Sequence, residues 1–304
     1  MTTNVRVHTA EVLIEAHADV AESPVWDSSK SLWTYVDITA KTVNTVTCDG
    51  IPAMSVSVPK HVGAALPADD GTWLLAMRDS FAILDEAGAV LPLLKVLDES
   101  DVRFNDAKCD PLGRAFAGTM PYDRQAGRGA LFRLDDGPTV TTVLSETGLS
   151  NGLGWNPAGD RMYFIDSGSQ QVTKFDFSLE TGSLTNRLPF VLIPAALGMP
   201  DGLCVDNDGG VWVALFGGSS IHRYTAEGDL DAVVPLPVSQ PTSCAIGGSD
   251  GRQLFITTAS YRLLRDQLRQ EPLAGAIFSV TLDRGAPPAA LWKPVARTNE
   301  EGAT

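Results

Sequence analysis

The stretch Asn151-Gly152-Leu153-Gly154-Trp155-Asn156-Pro157-Ala158-Gly159 leads into a second β-prone run, Met162-Tyr163-Phe164-Ile165. The first run starts with a polar side chain and ends at Asn156, after which the composition is that of a tight turn closed by Gly159. Two short apolar runs bounded by Gly, Pro and Asn predict two strands joined by this turn. How often this arrangement recurs along the sequence indicates which fold the strands belong to.

The same unit of strand, turn and strand recurs along the chain at a nearly constant spacing. The first large residues after successive turns are Trp33, Trp73, Ala115, Met162, Val211 and Leu254, which are 40, 42, 47, 49 and 43 residues apart. Units of this length, each with room for about four short strands, indicate an all-β fold, a six-bladed β-propeller with a central channel. A β-sandwich would show short strands without the longer period.

One domain accounts for the chain in this interpretation. We expect a single β-propeller domain over residues 1–304, with a core at about 11–292 and short flexible termini. The N-terminal segment Glu11-Val12-Leu13-Ile14 is predicted to pair into the last blade and close the ring, which would remove exposed sheet edges. The best candidate helix is Ser260–Gln270, in which Leu263, Leu264 and Leu268 share a face.

The overall charge excludes some functions. The chain has 23 Lys and Arg against 37 Asp and Glu, a formal net charge of −14. Because phosphate binding requires a basic face, we expect no nucleic-acid partner. With no apolar run of membrane-spanning length and no apolar leader, we expect no membrane partner and a cytoplasmic location. The cysteines are too widely spaced for a zinc knuckle or a disulfide scaffold and are expected to be buried free thiols.

Each repeat contains a strand just before its turn, and one position near the start of that strand varies between repeats. This position holds Glu22, Val62, Asn105, Asn151, Asp201 and Thr242. We call these six residues the axial positions. Equivalent positions in a propeller are related by rotation about the channel axis, so their side chains should converge at one mouth of the channel.

Two carboxylates and two carboxamides at the axial positions would form the oxygen-rich cage that hard or borderline divalent cations prefer. The alternative is that Asn and Asp before Gly simply form turns. Since four such residues occupy one frame with no Lys or Arg among them, we favour a metal site. Arg103 lies two residues before Asn105 and should point toward the same mouth, where it could hold substrate oxygens. A surface ion pair with Asp101 or Asp106 is the alternative for Arg103.

Five motifs taken together resemble the senescence marker protein (regucalcin)/gluconolactonase family, to which bacterial sugar lactonases belong. They are Ala21-Glu22-Ser23-Pro24-Val25-Trp26, Arg103-Phe104-Asn105-Asp106, Gly118-Thr119-Met120, Leu149-Ser150-Asn151-Gly152-Leu153 and Pro200-Asp201-Gly202-Leu203. The likeness runs from about residue 11 to about residue 292.

The resemblance implies a single divalent cation on the channel axis, held by Glu22, Asn151 and Asp201. It also implies that Arg103, Asn105 and Asp123 contact a sugar lactone. Asp123 stands where many members carry Glu, and Ser23 stands where members often carry Gly. The shorter Asp123 side chain could change which hydroxyl pattern of the sugar is preferred.

The cage and the resemblance together predict a metal-dependent hydrolase that opens a sugar lactone ring to the aldonic acid. One divalent ion (Ca²⁺, Zn²⁺, Mn²⁺ or Fe²⁺) would polarise the ring carbonyl, and Asp201 or a metal-bound water would activate the nucleophile. No G-x-S-x-G motif supports a serine nucleophile. A metal-dependent phosphotriesterase and a non-catalytic calcium-binding propeller remain as alternatives. We expect a monomer or a weak homo-oligomer.

Overall fold

Regular structure in the protein is almost entirely β, as seen in a computed structural model that describes residues 5–135 and 139–294. Two short strands come first in the chain, β1 (Arg6–Val7) and β2 (Glu11–Ile14). They are followed by six blades, in each of which consecutive strands pair antiparallel from the channel outward.

The first three blades each contain four consecutive strands. Blade 1 contains β3 (Ala21–Asp27), β4 (Leu32–Asp37), β5 (Thr42–Val46) and β6 (Pro52–Ser57). Blade 2 contains β7 (Val62–Pro67), β8 (Trp73–Met77), β9 (Ser80–Leu84) and β10 (Val90–Lys95). Blade 3 contains β11 (Val102–Cys109), β12 (Ala115–Pro121), β13 (Gly129–Asp135) and β14 (Thr139–Thr147).

The last three blades include the two N-terminal strands. Blade 4 contains β15 (Ser150–Trp155), β16 (Arg161–Asp166), β17 (Gln171–Phe177) and β18 (Leu184–Leu192). Blade 5 contains β19 (Met199–Val205), β20 (Val211–Phe216), β21 (Ser220–Tyr224) and β22 (Leu230–Pro235), with β1 added in parallel beside β22. Blade 6 contains β23 (Pro241–Gly247), β24 (Gln253–Thr258) and β25 (Ile277–Thr281), with β2 as its antiparallel outer strand.

The six innermost strands form a closed ring, in which each contacts the innermost strand of the next blade and β23 contacts β3. The predicted six-bladed propeller is therefore confirmed, and so is the closure of the last blade by Glu11–Ile14. The parallel addition of β1 to blade 5 was not expected. It is accompanied by ion pairs from Arg6 to Asp231 and Asp283, both at 3.1 Å.

The predicted turns are also present. In blades 1, 3, 4 and 5 the Asp or Asn at the end of the innermost strand accepts hydrogen bonds from backbone N–H groups of the following turn, as Asp110 Oδ1 does from Leu112 at 2.9 Å and from Arg114 at 3.0 Å. Gly113, which closes this turn, has φ of +86°, a conformation that favours glycine. The repeating sequence unit is thus a hairpin between the first and second strands of a blade.

Apolar side chains between the blades form the core in six clusters. One of these clusters lies where the ring closes between blades 6 and 1. There, the indole of Trp33 stacks on Phe255 with centroids 4.6 Å apart, and it also contacts Trp26 at 5.3 Å. Aromatic pairs of this kind add to the free energy gained by burial. The closure of the ring is therefore packed as well as hydrogen-bonded.

Three further expectations have different outcomes. The helix is shorter than the predicted Ser260–Gln270: α1 spans Arg265–Gln270, and Leu264 and Leu268 are exposed. The four cysteines are free, as expected, although Cys48 is only half-buried. The expectation of short flexible termini falls on residues 1–4 and 295–304, which lie outside the described residues. No described helix is long and apolar enough to cross a lipid bilayer.

Candidate active site

All six innermost strands carry a register irregularity opposite the second strand of their blade, at or next to the axial position. In blade 4, for example, the pairing is interrupted between Ser150 and Leu153, and Asn151 lies in the gap. A β-bulge re-aims a side chain and frees it from the regular alternation. The bulges therefore explain how successive blades present side chains at the same end of the channel.

Glycines after the axial positions let neighbouring strands approach closely. Gly152 and Gly202 do not have positive φ, so they are not turn residues. A Cβ on Gly202 would lie 2.0 Å from Ser243 Oγ, and one on Gly152 would lie 2.5 Å from the Leu203 backbone nitrogen. The Asn-Gly and Asp-Gly pairs thus belong to the packed centre of the propeller, and the simple turn interpretation is wrong.

Five axial residues line a cavity of about 150 Å³ at this end of the channel: Glu22, Asn105, Asn151, Asp201 and Thr242. Arg103 lines it too, as expected from its position two residues before Asn105. Val62 is fully buried and is not part of the lining. The hydroxyl of Thr242 donates to the Ala21 carbonyl at 2.5 Å, so its proton is used within the scaffold.

The two axial carboxylates are buried close to each other. Glu22 is 5% exposed and Asp201 is 6% exposed. Burial raises the pKa of Glu22 well above its usual value, and the negative charges of Asp201 and Asp106 raise it further. Burial also raises the pKa of Asp201 well above its usual value, with repulsion from Asp106 as the next contribution. The ionised pair is therefore unfavourable unless a positive charge lies between them.

Carboxamides are oriented by a chain of hydrogen bonds. Arg103 Nη1 donates to Asn105 Oδ1 at 2.7 Å, and Asn105 Nδ2 donates to Asn151 Oδ1 at 3.0 Å. The chain ends where Asn151 Nδ2 donates to Ser167 Oγ at 3.0 Å. Asn105 also donates to the Ser150 carbonyl at 2.9 Å, so its amide hydrogens are both used. This series of hydrogen bonds fixes the direction in which the side-chain oxygen of Asn151 points.

Arg103 is half-buried and keeps part of its guanidinium free. Its Nη1 donates to the Phe104 carbonyl at 2.9 Å as well as to Asn105, while Nε and Nη2 have no protein acceptor within the described parts of the chain. The guanidinium also lies 5.9 Å from the centroid of the Tyr122 ring. The alternative for Arg103, a surface ion pair with Asp101 or Asp106, is not formed; Asp101 pairs with Arg128 instead.

Asp123 is the one predicted site residue that the structure does not bring to the cavity. It is exposed, and its Oδ1 accepts a hydrogen bond from the Gln125 backbone at 3.0 Å. The neighbouring residues Tyr122 and Arg124 line the cavity instead. A role of Asp123 in binding substrate stays a prediction.

His61 and Asp106 are among the residues of the site that were missed at the level of sequence. His61 lines the cavity, and its Nδ1 lies 2.9 Å from the Tyr122 hydroxyl. Asp106 is 3% exposed beneath the axial carboxylates, and burial raises its pKa. Its Oδ1 lies 2.8 Å from Ser23 Oγ, which is also 2.8 Å from the Gly63 carbonyl oxygen. The single hydroxyl hydrogen of Ser23 cannot be donated to both oxygens. If Asp106 is protonated, it can donate to Ser23 Oγ while Ser23 donates to the Gly63 carbonyl, and both hydrogen bonds are formed.

The axial oxygens fit a divalent cation. In residues 5–135 and 139–294 no three His, Cys, Asp or Glu side chains form a ready cluster for a metal, so a ligand set must include a carboxamide. Glu22, Asn151 and Asp201 supply two carboxylates and an oriented carboxamide oxygen within one cavity. Neither carboxylate forms an ion pair with a described Lys or Arg. Oxygen donors of this kind suit Ca²⁺ and also serve Mn²⁺ or Zn²⁺.

Sequence comparison identifies the family. The model of the SMP-30/Gluconolactonase/LRE-like region matches residues 20–260, most of the chain. The chain belongs to the SMP-30/gluconolactonase/LRE-like family. Among other members, regucalcin of Danio rerio is 35% identical over 275 residues, covering 89% of this chain and 93% of the relative. A Bacillus subtilis protein, YvrE, provisionally named a sugar lactone lactonase, is 30% identical over 275 residues, covering 89% and 94%.

Solved structures with the same fold are known. A calcium-binding protein named regucalcin from Agrobacterium tumefaciens superposes with a TM-score of 0.90, covering 96% of this chain and 100% of that one. At 23% identity this likeness concerns the fold alone. The family and the fold expected from the sequence motifs are both confirmed.

Proposed function

We propose that this protein is a metal-dependent hydrolase that opens the ring of a sugar lactone to give the corresponding aldonic acid. The enzyme class rests on the family: the chain is a lactone hydrolase of the SMP-30/gluconolactonase/LRE-like type. The observation that carries the finer proposal is the convergence of Glu22, Asn151 and Asp201 in one cavity, with the partly free guanidinium of Arg103 beside them. The expected cytoplasmic location and the expected monomer or weak homo-oligomer belong to the same proposal.

In this proposal Glu22, Asn151 and Asp201 hold the cation. A bound divalent ion supplies a concentrated positive charge that polarises a carbonyl and lowers the pKa of a bound water. The protein contributes the fixed orientation of the ligands: the Ser23 backbone N–H donates to Glu22 Oε2 at 2.7 Å, and Asn105 directs the Asn151 oxygen. These contacts fix the ligands before the cation binds, which lowers the cost of ordering them.

Asp201 is proposed to take the proton from the attacking water. A general base must be a proton acceptor within reach of the water, and among the axial positions only Glu22 and Asp201 carry a side chain that can accept a proton near neutral pH. Glu22 is held by Ser23, whereas Asp201 has Asn151 as its main hydrogen-bonding neighbour. Water adds to the carbonyl carbon, the ring C–O bond breaks, and the departing ring oxygen receives a proton.

Arg103 is proposed to orient the lactone. Its Nε and Nη2 can donate two hydrogen bonds to adjacent oxygens of a sugar, a geometry that lysine cannot reproduce. Tyr122 and Tyr261, which line the same cavity, add a hydroxylic and aromatic rim of the kind that suits a carbohydrate. Asn105 would act mainly by holding Arg103 and Asn151 in place, with one lone pair left for the substrate.

The test is a titration of the acid released from a panel of aldonolactones and one phosphotriester. Chelator-treated protein should be inactive, and Ca²⁺, Zn²⁺, Mn²⁺ or Fe²⁺ added singly should restore lactone opening without phosphotriester hydrolysis. Glu22→Gln should weaken cation binding measured by calorimetry while circular dichroism stays unchanged. Full cation binding with normal turnover in Glu22→Gln would refute the ligand assignment. Absence of lactone opening with every ion would refute the proposed reaction.

A further inference from the structure

The cavity at the axial positions carries an excess of positive side chains. Its lining includes three arginines, Arg103, Arg124 and Arg262, but only two acidic residues, Glu22 and Asp201. The chain as a whole has a formal net charge of −14, so this mouth is an exception on an acidic protein. If a divalent cation balances Glu22 and Asp201, as the proposed function requires, the arginine charges are not neutralised by the lining.

Arg124 lies in the turn after β12, in blade 3. Its side chain is exposed and makes no hydrogen bond or ion pair with any residue the structure describes. It nevertheless lines the cavity that also contains Asp201 and Arg103. Its φ of +60° is uncommon for a residue other than glycine, and such backbone strain is concentrated at functional sites.

Arg262 lies in the loop after β24, in blade 6. It also has positive φ, at +56°, and its guanidinium lies 4.9 Å from the centroid of the Tyr261 ring. Stacking on an aromatic face restrains an arginine while leaving its N–H groups available. Within residues 5–135 and 139–294, Arg262 has no acidic partner. Blades 3 and 6 are opposite each other in a ring of six, so the two arginines approach the mouth from opposite sides.

The environment of His61 agrees with a positive mouth. Burial lowers the pKa of His61, and the charges that lower it further come from Arg103, Lys41 and Arg78. Asp79, which follows Arg78, is bound by Lys60 at 2.8 Å and by Arg78 at 3.3 Å. No acidic side chain in the lining is therefore free to pair with Arg124 or Arg262 once the axial carboxylates hold a cation.

We propose that the substrate is an acidic sugar lactone, whose carboxylate is bound by Arg124 and Arg262 while its ring carbonyl faces the axial residues. The inference rests on the proposed lactone hydrolysis and specifies its substrate class. Two guanidinium groups can bind a carboxylate through charge-assisted hydrogen bonds that a neutral hydroxymethyl group cannot match. Hydrolysis adds one water across the ring ester, so the product is a dicarboxylate.

The experiment compares kcat/KM for two lactones that differ at a single carbon. D-glucaro-1,4-lactone carries a carboxylate where D-glucono-1,4-lactone carries a hydroxymethyl group. The native enzyme should favour the acidic lactone, and this preference should weaken as salt is added, because screening reduces interactions between exposed charges. Arg124→Gln and Arg262→Gln should each lower the ratio of the two kcat/KM values by about tenfold or more, as expected for loss of a charge-assisted hydrogen bond.

Arg187→Gln is the matched control. Arg187 is exposed on β18, the outer strand of blade 4, so its loss removes the same charge away from the mouth. It should leave the ratio unchanged. A native ratio of one or less, or a ratio unchanged in both Arg124→Gln and Arg262→Gln, would overturn the inference while leaving lactone hydrolysis standing.

A binding measurement separates the two proposals. D-glucarate, titrated calorimetrically into the cation-loaded protein, should bind the native enzyme and bind both arginine variants more weakly. If neither lactone is opened, the proposed reaction fails, and this titration still decides the role of the arginines. Equal or absent glucarate binding in the native protein and both variants would then overturn the inference as well.

Discussion

Glu22 and Asp201 gain from ionisation only when a cation lies between them. Burial raises the pKa of each, and the charge of Asp106 raises both further. The structure nevertheless places an oriented Asn151 oxygen beside them, and no Lys or Arg among the described residues pairs with either. A protein that needed only stability would gain by replacing such a pair with apolar groups of similar size. The arrangement is therefore explained by binding of a cation, and its two acids need not have the same role.

Asp201→Asn separates metal binding from proton transfer at this residue. The substitution keeps one oxygen for the cation but removes the group that accepts a proton. If Asp201 is the base, kcat at saturating cation should stay lower by roughly 10²–10⁴-fold, the usual contribution of general-base catalysis. The measurement is kcat against cation concentration, with Asn105→Ala as the comparison, because Asn105 cannot take a proton. Recovery of Asp201→Asn to near native kcat would show that Asp201 is a ligand only.

At the scale of the strand, the bulge and its glycine decide whether an axial residue can reach the channel. Gly202→Ala should destabilise the protein by about 1–3 kcal/mol, because the new Cβ would lie 2.0 Å from Ser243 Oγ and force β19 away from β23. Cation affinity should fall with it, since Asp201 would move. Chemical denaturation and calorimetry measure the two effects.

Gly168→Ala is the control for this prediction. Gly168 is exposed, its φ is not positive, and the nearest atom to an added Cβ is Asp166 Oδ1 at 3.9 Å. It should change stability by no more than about 0.5 kcal/mol. Equal stability of the two variants would contradict the packing role of Gly202.

Ring closure by β2 gives a second prediction at this scale. Removing residues 1–14 would delete β1 and β2 and expose the edge of β25 in blade 6. The loss of the strand pairing and of the contacts of Leu13 and Ile14 should cost roughly 3 kcal/mol and promote aggregation. Thermal unfolding and light scattering measure these effects. A truncation of residues 1–4 alone should behave as the full chain, and equal behaviour of both truncations would contradict closure by β2.

The strands and the axial positions could be predicted because their signals are local and repeat. Turn residues such as Gly113 recur along the chain. Asn105 occupies the same position in its repeat as the proposed metal ligands do in theirs, and Arg103 lies two residues before it. Asp106 was missed because strict alternation places it on the opposite side from Asn105. The bulge cancels that alternation. A signal was nevertheless present, since the residue after each axial position is Ser or Gly in every blade except blade 3, where it is Asp106.

The helix and the arginine pair could not be predicted for a different reason. Leu263, Leu264 and Leu268 repeat with helical spacing, but periodicity does not reveal whether a partner surface exists, and Leu264 remains exposed. Arg124 and Arg262 lie in loops of blades far apart in the chain, and only the closed ring brings them to one mouth. Such contacts depend on the whole fold rather than on any segment.

At the scale of the whole molecule, the buried acids predict a dependence of stability on pH. In the metal-free protein the raised pKa values of Glu22 and Asp201 favour the protonated folded state. Their stabilising contribution to the free energy of unfolding is therefore fully present below the unfolded-state pKa of about 4. It is lost as the pH rises through the pKa values of the two acids in the folded state. A bound cation requires the ionised acids, so the increase in Tm that it produces should grow between about pH 5 and pH 8.

Thermal unfolding with and without cation measures this difference at each pH. The double variant Glu22→Gln, Asp201→Asn is the control, because it lacks both titrating groups and should show little cation-dependent change in Tm at any pH. A cation effect in the native protein that is equally large at both ends of the range would contradict the assignment of these two acids as ligands.

The pairing of β2 with β25 also constrains how the chain is made. Glu11 pairs with Ser279, and Arg6 pairs with Ala232, so β1 and β2 leave the ribosome long before the strands with which they pair. During synthesis blades 1 to 4 can form from their own consecutive strands, but blade 6 cannot be completed before residue 281 has emerged. Until then the early segment and the late blades expose unpaired strand edges, the condition under which nascent chains associate wrongly. Closure of the ring thus has to wait for the encounter of β2 with β25.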